Sequence, residues 1–288
     1  MRTFRVALFA AVTFLPAGAT AQLPLAPTAK TGQTVTPVFE GWYRNADGSF
    51  SISFGYYNRN TAEAIEIPVG AENFIAPGDS NQGQPTRFEA RRHWGVFAVK
   101  VPANFGTTNK VTWTVRMRGE TFAIPASLHA DWEIDALAGE AGSGNTPPVI
   151  KLPGSPVPGT PVPGSSGGPD AQGPAGAMAG PLTAKVGQPL TLTIWATDDG
   201  RTAGSVAGGR GNAPVTLAWF KHQGPGAVTF SAPTPRPAAG DGMATTTATF
   251  SAAGTYILRV RANDSSVAGA GHAQCCWTNG FIRVTVSP

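Results

Sequence analysis

Two cysteines, Cys275 and Cys276, are the only ones in the 288 residues, and they are neighbours. Adjacent cysteines cannot staple distant parts of one chain. In an oxidising compartment they leave three states: a vicinal disulfide, two free thiols, or bonds to another chain. There is no C-x-x-C, so a dithiol redox centre is not indicated. The four histidines, His93, His129, His222 and His272, show no metal-ligand spacing of the H-x-x-x-H kind. No S-x-x-K pair or phosphate-binding glycine loop occurs. Glu40, Glu63, Glu66 and Glu89 offer carboxylates, but their spacing singles out no acid/base pair. Asp198, Asp199 and Asp264 fall at the ends of two expected strands, where aspartate commonly caps turns. Trp42, Tyr43, Tyr56 and Tyr57, with Trp277 beside the cysteines, are candidate ligand-binding rings. A flat ring with a polar tip stacks well on a sugar, although alternate residues of a strand face inward.

The elements that must position these residues are strands. Residues 1–21 read as a signal peptide: Arg2 and Arg5, an apolar run from Val6 to Leu15, then Ala19-Thr20-Ala21, with cleavage expected before Gln22. The run is too short to span a bilayer, and no later transmembrane segment is expected. The mature protein is therefore expected in the periplasm or outside the cell. Loss of the signal leaves 19 of the 21 Lys+Arg against 17 Asp+Glu. That near-neutral balance does not suit a nucleic-acid partner. The one basic cluster, Arg87, Arg91, Arg92 and His93, reads as a solvated strand edge.

Residues 22–34 are expected to be a flexible lead-in and 35–136 a first β-sandwich. Phe50, Ile52 and Phe54 alternate with Ser49, Ser51 and Ser53, which assigns one face to a core and the other to water. Asn45-Ala46-Asp47-Gly48 supplies the hairpin turn before them. Further strands are expected at 64–69, 94–101, 111–117 and 121–124. Residues 137–184, rich in Pro, Gly, Ser and Ala, read as a disordered linker or as an insertion after a first strand at 147–152. Strands return at 190–197, 215–222, 227–231, 244–250, 255–262 and 281–286, giving a second sandwich over 185–288. The expected fold class is all-β: two Ig-like sandwiches joined by a Pro/Gly-rich stretch.

In the second half, Leu217-Ala218-Trp219-Phe220-Lys221, Gly224-Pro225-Gly226-Ala227-Val228-Thr229-Phe230, Gly254-Thr255-Tyr256-Ile257-Leu258-Arg259-Val260 and Asn263-Asp264 stand in order. Together with Ala196-Thr197-Asp198-Asp199-Gly200, they make residues 187–286 resemble PKD-like and related Ig-like, cadherin-like modules of extracellular bacterial proteins. The resemblance implies Trp219 in the core and Tyr256 at a strand corner. It also implies a possible Ca²⁺ role for Asp198, Asp199 and Asp264. The Gly-rich loop 204–211 interrupts the pattern, and residues 35–135 resemble no named family. Such modules serve as spacers, adhesion units and ligand-binding appendages, so the fold does not fix a function. The expectation is an exported, non-catalytic binding or structural protein with an envelope protein or a glycan as partner. The alternatives are a carbohydrate-binding protein using first-domain aromatics, and an enzyme with an interdomain site.

Overall fold

In the computed structural model, residues 29–134, 145–154, 167–200, 215–264 and 276–288 are described. The signal segment, Cys275 and the loop 204–211 lie outside them. The chain is all-β, with seventeen strands among the described residues and one 3-10 turn at Ala130–Trp132.

The first sandwich contains β1 (Val35–Arg44), β2 (Phe50–Asn58), β3 (Ile65–Glu66), β4 (Asn73–Ala76), β5 (Arg87–Phe88), β6 (Arg91–Val101), β7 (Val111–Met117) and β8 (Glu120–Ala126). One sheet runs β1-β2-β6 and the facing one β4-β7-β8, with β3 and β5 pairing separately. The hairpin β1–β2 closes where Gly48 N–H donates to Asn45 O at 3.0 Å, with Gly48 at φ +80. Between the sheets Phe54 stacks on Phe97 at 5.5 Å, and Trp113 meets both edge-on. The Trp113 indole N–H donates to Asn73, so its one polar atom is satisfied inside the core.

The second sandwich contains β9 (Val149–Pro153), β10 (Gly167–Gln172), β11 (Ala177–Lys185), β12 (Leu190–Thr197), β13 (Thr216–Gln223), β14 (Val228–Phe230), β15 (Met243–Phe250), β16 (Gly254–Asn263) and β17 (Trp277–Ser287). Its sheets are β10-β9-β12-β15-β14 and β11-β17-β16-β13. Leu192, Ile194, Trp219, Leu258, Val260, Ile282 and Val284 fill the space between them. Trp219 is buried. The Tyr256 hydroxyl donates to Ala252 O at 2.8 Å and accepts from Gly226 N at 3.0 Å, a tyrosine corner typical of Ig-like sandwiches.

Three expectations are corrected. The stretch 137–184 holds β9, β10 and most of β11, all in the sheets of the second sandwich. β10 pairs with β9 and β11 runs parallel to β17, and the apolar residues they bury, Ala171, Ala179 and Leu182, are mostly small. Residues 29–34 are not a flexible lead-in. Ala29 O and Lys30 O accept from the backbone of Thr61, Ala62 and Glu63, and Gln33 N–H donates to the Asn60 side chain. The serine face of β2 is not in water: Ser49, Ser51 and Ser53 are 8%, 4% and 0% exposed.

Candidate functional site

The serine face is covered partly by the first module's own Asn45–Asp47 turn and Trp132–Ile134 segment and partly by the second sandwich. Gly41, Tyr43, Ser51, Ser53 and Gly55 share the outer side of the β1–β2 pair, and Gly95 of β6 lies nearby. These side chains are mostly small, so another backbone can approach closely. A Cβ added at Gly95, which sits at φ +47, would run into the Trp277 indole. The Gly95 carbonyl accepts from Asn279 Nδ2 at 2.6 Å and from Trp277 Nε1 at 3.4 Å. Tyr43, Ile134 and Cys276 form a small apolar cluster with Ala175 against it. Phe281 of β17 enters the first sandwich's own core cluster, and Ile257 packs on it.

Farther along, the first sandwich closes the free edge of β13. Thr86 N–H donates to His222 O at 2.8 Å, and Gln223 Nε2 donates to Gln84 O at 2.6 Å and to Asn81 Oδ1 at 3.0 Å. His222 Nε2 donates to Gly83 O at 2.7 Å; a carbonyl only accepts, so this contact fixes the Nε2–H tautomer. Lys221, 6% exposed, reaches both oxygens of Glu66 at 3.0 and 3.1 Å. Glu66 also pairs with Arg87, and Arg87 with Glu89, so charges alternate along a four-member chain across the junction.

Beneath that chain lies a cluster poor in carboxylates. His93 stacks on Tyr56 at 4.9 Å and meets Phe220 edge-on at 5.9 Å. Arg259 lies 4.5 Å over the Phe220 ring and Arg261 5.9 Å from it. Arg259 is 2% exposed, and its one hydrogen bond among the described residues is a long 3.4 Å contact to Asn279. Burial holds the Arg259 guanidinium down to about 10. Burial, with the Arg259 charge adding to it, holds both His93 and His222 down to about 3, so both imidazoles are neutral at pH 7.

The sequence candidates are therefore redistributed. Trp42, Tyr43, Tyr56 and Trp277 are buried and cannot serve as exposed stacking platforms. Trp42 packs on Phe50 and donates to His129 O, while the other three belong to the junction or lie beneath it. Tyr57 is half-buried, with Arg91 over its ring at 5.4 Å. The large exposed ring is Trp132, 49% exposed and 5.3 Å from Phe39. Sequence reasoning missed it because it stands alone outside any alternating run. The basic cluster is not a solvated edge either: Arg92 donates to buried Glu40 at 2.7 Å and His93 is internal. Cys276 is fully buried.

Asp198, Asp199 and Asp264 do gather at one end of the second sandwich, but as turn and strand-end anchors. Asp199 accepts from Thr146 N–H and Oγ1 at 3.0 and 2.9 Å, Asp264 from Asn145 at 2.7 Å, and Asp198 from Gly200 N–H at 3.0 Å. Burial first, then the Asp199 and Asp264 charges, push Asp198 up to about 6. Among the described residues no group of three or more His, Cys, Asp or Glu side chains is arranged to hold a metal ion. A cleft of ≈ 910 Å³ beside this corner is lined by Asp198, Arg236 and Arg261 among others. A recess of ≈ 620 Å³ at the junction is lined by Glu66, Thr86, Lys221 and the Gly224–Ala227 backbone, without either junction histidine.

Neither a family model nor a curated relative matches the chain. Among solved structures it is similar to a chimeric titin Z1Z2 functionalized with a KLER exogenous peptide from decorin, at 10% identity over 90% of this chain and 100% of that one, TM-score 0.24. It is also similar to the D00-D0 domain of Intimin, at 13% identity over 88% and 100%, TM-score 0.27. A third is the S-layer protein SbsC domains 4 and 5, at 11% identity over 62% and 66%, TM-score 0.24. Superpositions this loose carry no argument; the all-β architecture rests on the sheets themselves. Among the described residues no helix is long and apolar enough to cross a membrane.

Proposed function

We propose that the chain is an exported, non-catalytic binding or structural protein, periplasmic or secreted after cleavage near Ala21–Gln22. Its two sandwiches act as one stiff unit toward an envelope protein or a glycan. The observation that carries this reading is the junction. Side chains that could otherwise do chemistry, among them His93, His222 and Lys221, are spent on joining the sandwiches. A stiff pair of modules suits a spacer or an assembly part better than a hinged enzyme cleft does. Cys275 and Cys276 form a vicinal disulfide that braces the segment leading into β17. This rests on their being the chain's only cysteines and on Cys276 packing against Tyr43 and Ile134.

A glycan partner has one observation of its own, the exposed Trp132 beside Phe39. The test is a pull-down with the mature chain against envelope extract and insoluble polysaccharides. Retention of one envelope protein at near-stoichiometric yield supports assembly. Retention on a polysaccharide that Trp132→Ala abolishes supports the glycan reading. Binding to neither rejects both partners. For the cysteines, iodoacetamide labelling of denatured protein only after reduction is the expected result. Labelling without reductant would exclude the disulfide.

A further inference from the structure

We propose that the junction is an acid-sensitive coupling: neutral His93 and His222, packed against Arg259 and Arg261 between the sandwiches, hold the two modules together, and protonation of both imidazoles releases them from each other. The inference concerns the junction alone and does not depend on what the chain binds.

The geometry concentrates positive charge in one place. His93, on β6, is faced by Tyr56 from β2, Phe220 from β13, and Arg259 and Arg261 from β16, with Arg92 on its own strand. His222, on β13, is faced by Arg259 from β16, Phe281 from β17 and the Gly83 carbonyl from the first sandwich. The surrounding carboxylates are each matched to a cation: Glu40 with Arg92, Glu89 with Arg87, and Glu66 with Lys221 and Arg87. None is placed to neutralise an imidazolium. Two added charges beside a buried guanidinium whose sole hydrogen bond, among the described residues, is 3.4 Å long would be uncompensated in a low-dielectric interior.

The sign follows from linkage. Both histidines are held near 3 in the joined state and return toward about 6.5 when exposed to water. Their contribution to coupling is fully present above about 6.5 and is lost as pH falls toward 3. At pH 4.5 each histidine favours the separated state by about a hundredfold. The core between the sheets of the second sandwich is aliphatic and aromatic, so its unfolding should follow separation.

The test measures radius of gyration by small-angle X-ray scattering, with far-UV circular dichroism in parallel, on the mature chain from pH 7.5 to 3.5. Expansion between about pH 6 and 4 with strand signal retained is expected. The His93→Gln, His222→Gln double variant, which can still donate to a carbonyl but cannot charge, should expand at least about one pH unit lower. No expansion above pH 3.5, equal midpoints for the two proteins, or loss of strand signal at the same midpoint would each overturn the proposal. Should the double variant fail to fold at pH 7.5, Arg259→Met serves instead. Removing the facing charge should move the midpoint down, and an unmoved midpoint overturns the proposal.

Discussion

The interior of the second sandwich and the junction between the sandwiches both bury side chains, yet they are built from different ones. The interior is aliphatic and aromatic: Leu192, Ile194, Trp219, Leu258 and Val284 interdigitate between two sheets. The junction is made of glycine, serine, asparagine, histidine, arginine and one lysine–glutamate pair, with Phe281 as its main apolar plug. The first kind of burial is driven by area removed from water and tolerates acid. The second gains less from area and depends on each polar group finding its partner. One molecule thus carries two buried surfaces with opposite responses to charge.

Truncation of the core should give the largest effect. Trp219→Ala should cost about 3–5 kcal/mol in urea denaturation, because a side chain 4% exposed leaves a cavity in a packed layer. A change below about 1 kcal/mol would mean that this interior is looser than described. Next is Ser53→Lys. If the serine face met water, the change would stay within about 0.5 kcal/mol. Because Ser53 is 0% exposed, a loss of about 2 kcal/mol or more is expected, read from the same denaturation curves.

Asp198→Asn is expected to act in the opposite direction. The folded state raises this carboxyl to about 6, so its contribution to stability is present below about 4 and is lost as pH rises through 6. The amide mimics the protonated form, and at pH 7.5 the variant should gain about 1 kcal/mol, after discounting for a half-exposed site. Thermal unfolding at pH 7.5 and pH 4 checks it: the gain should vanish at pH 4. Arg259→Met is the smallest at neutral pH, within about 1 kcal/mol of the parent, because an unpaired buried guanidinium is replaced by an apolar chain of similar length. A large loss would show that Arg259 holds the junction together rather than burdening it.

Period-two alternation made the strands of both sandwiches legible, and the Trp219 and Tyr256 placements followed from the resemblance to PKD-like and Ig-like modules. Alternation reports polarity, however, and not exposure. Ser49, Ser51 and Ser53 look solvated by type and are buried, with Ser49 and Ser51 bonded to Asn45 and Asp47 of their own turn. The aromatic candidates failed for the same reason: Tyr43, Tyr56 and Trp277 sit among glycine and serine, where close backbone approach was the relevant signal. β10 and β11 were hidden by composition, since the residues they bury, Ala171, Ala179 and Leu182, are mostly small and sit among Pro and Gly. Asp198, Asp199 and Asp264 were legible as a gathering of carboxylates, but Asn145 and Thr146, which occupy two of them, lie some fifty residues or more away in sequence.

Rigidity across the junction is the central claim, and residual dipolar couplings measure it most directly. At pH 7.5, amide couplings from residues 35–126 and from residues 177–287 of the mature chain should fit one alignment tensor of common magnitude and orientation. Two independent tensors would mean that the sandwiches reorient freely, and the account of the junction would be wrong.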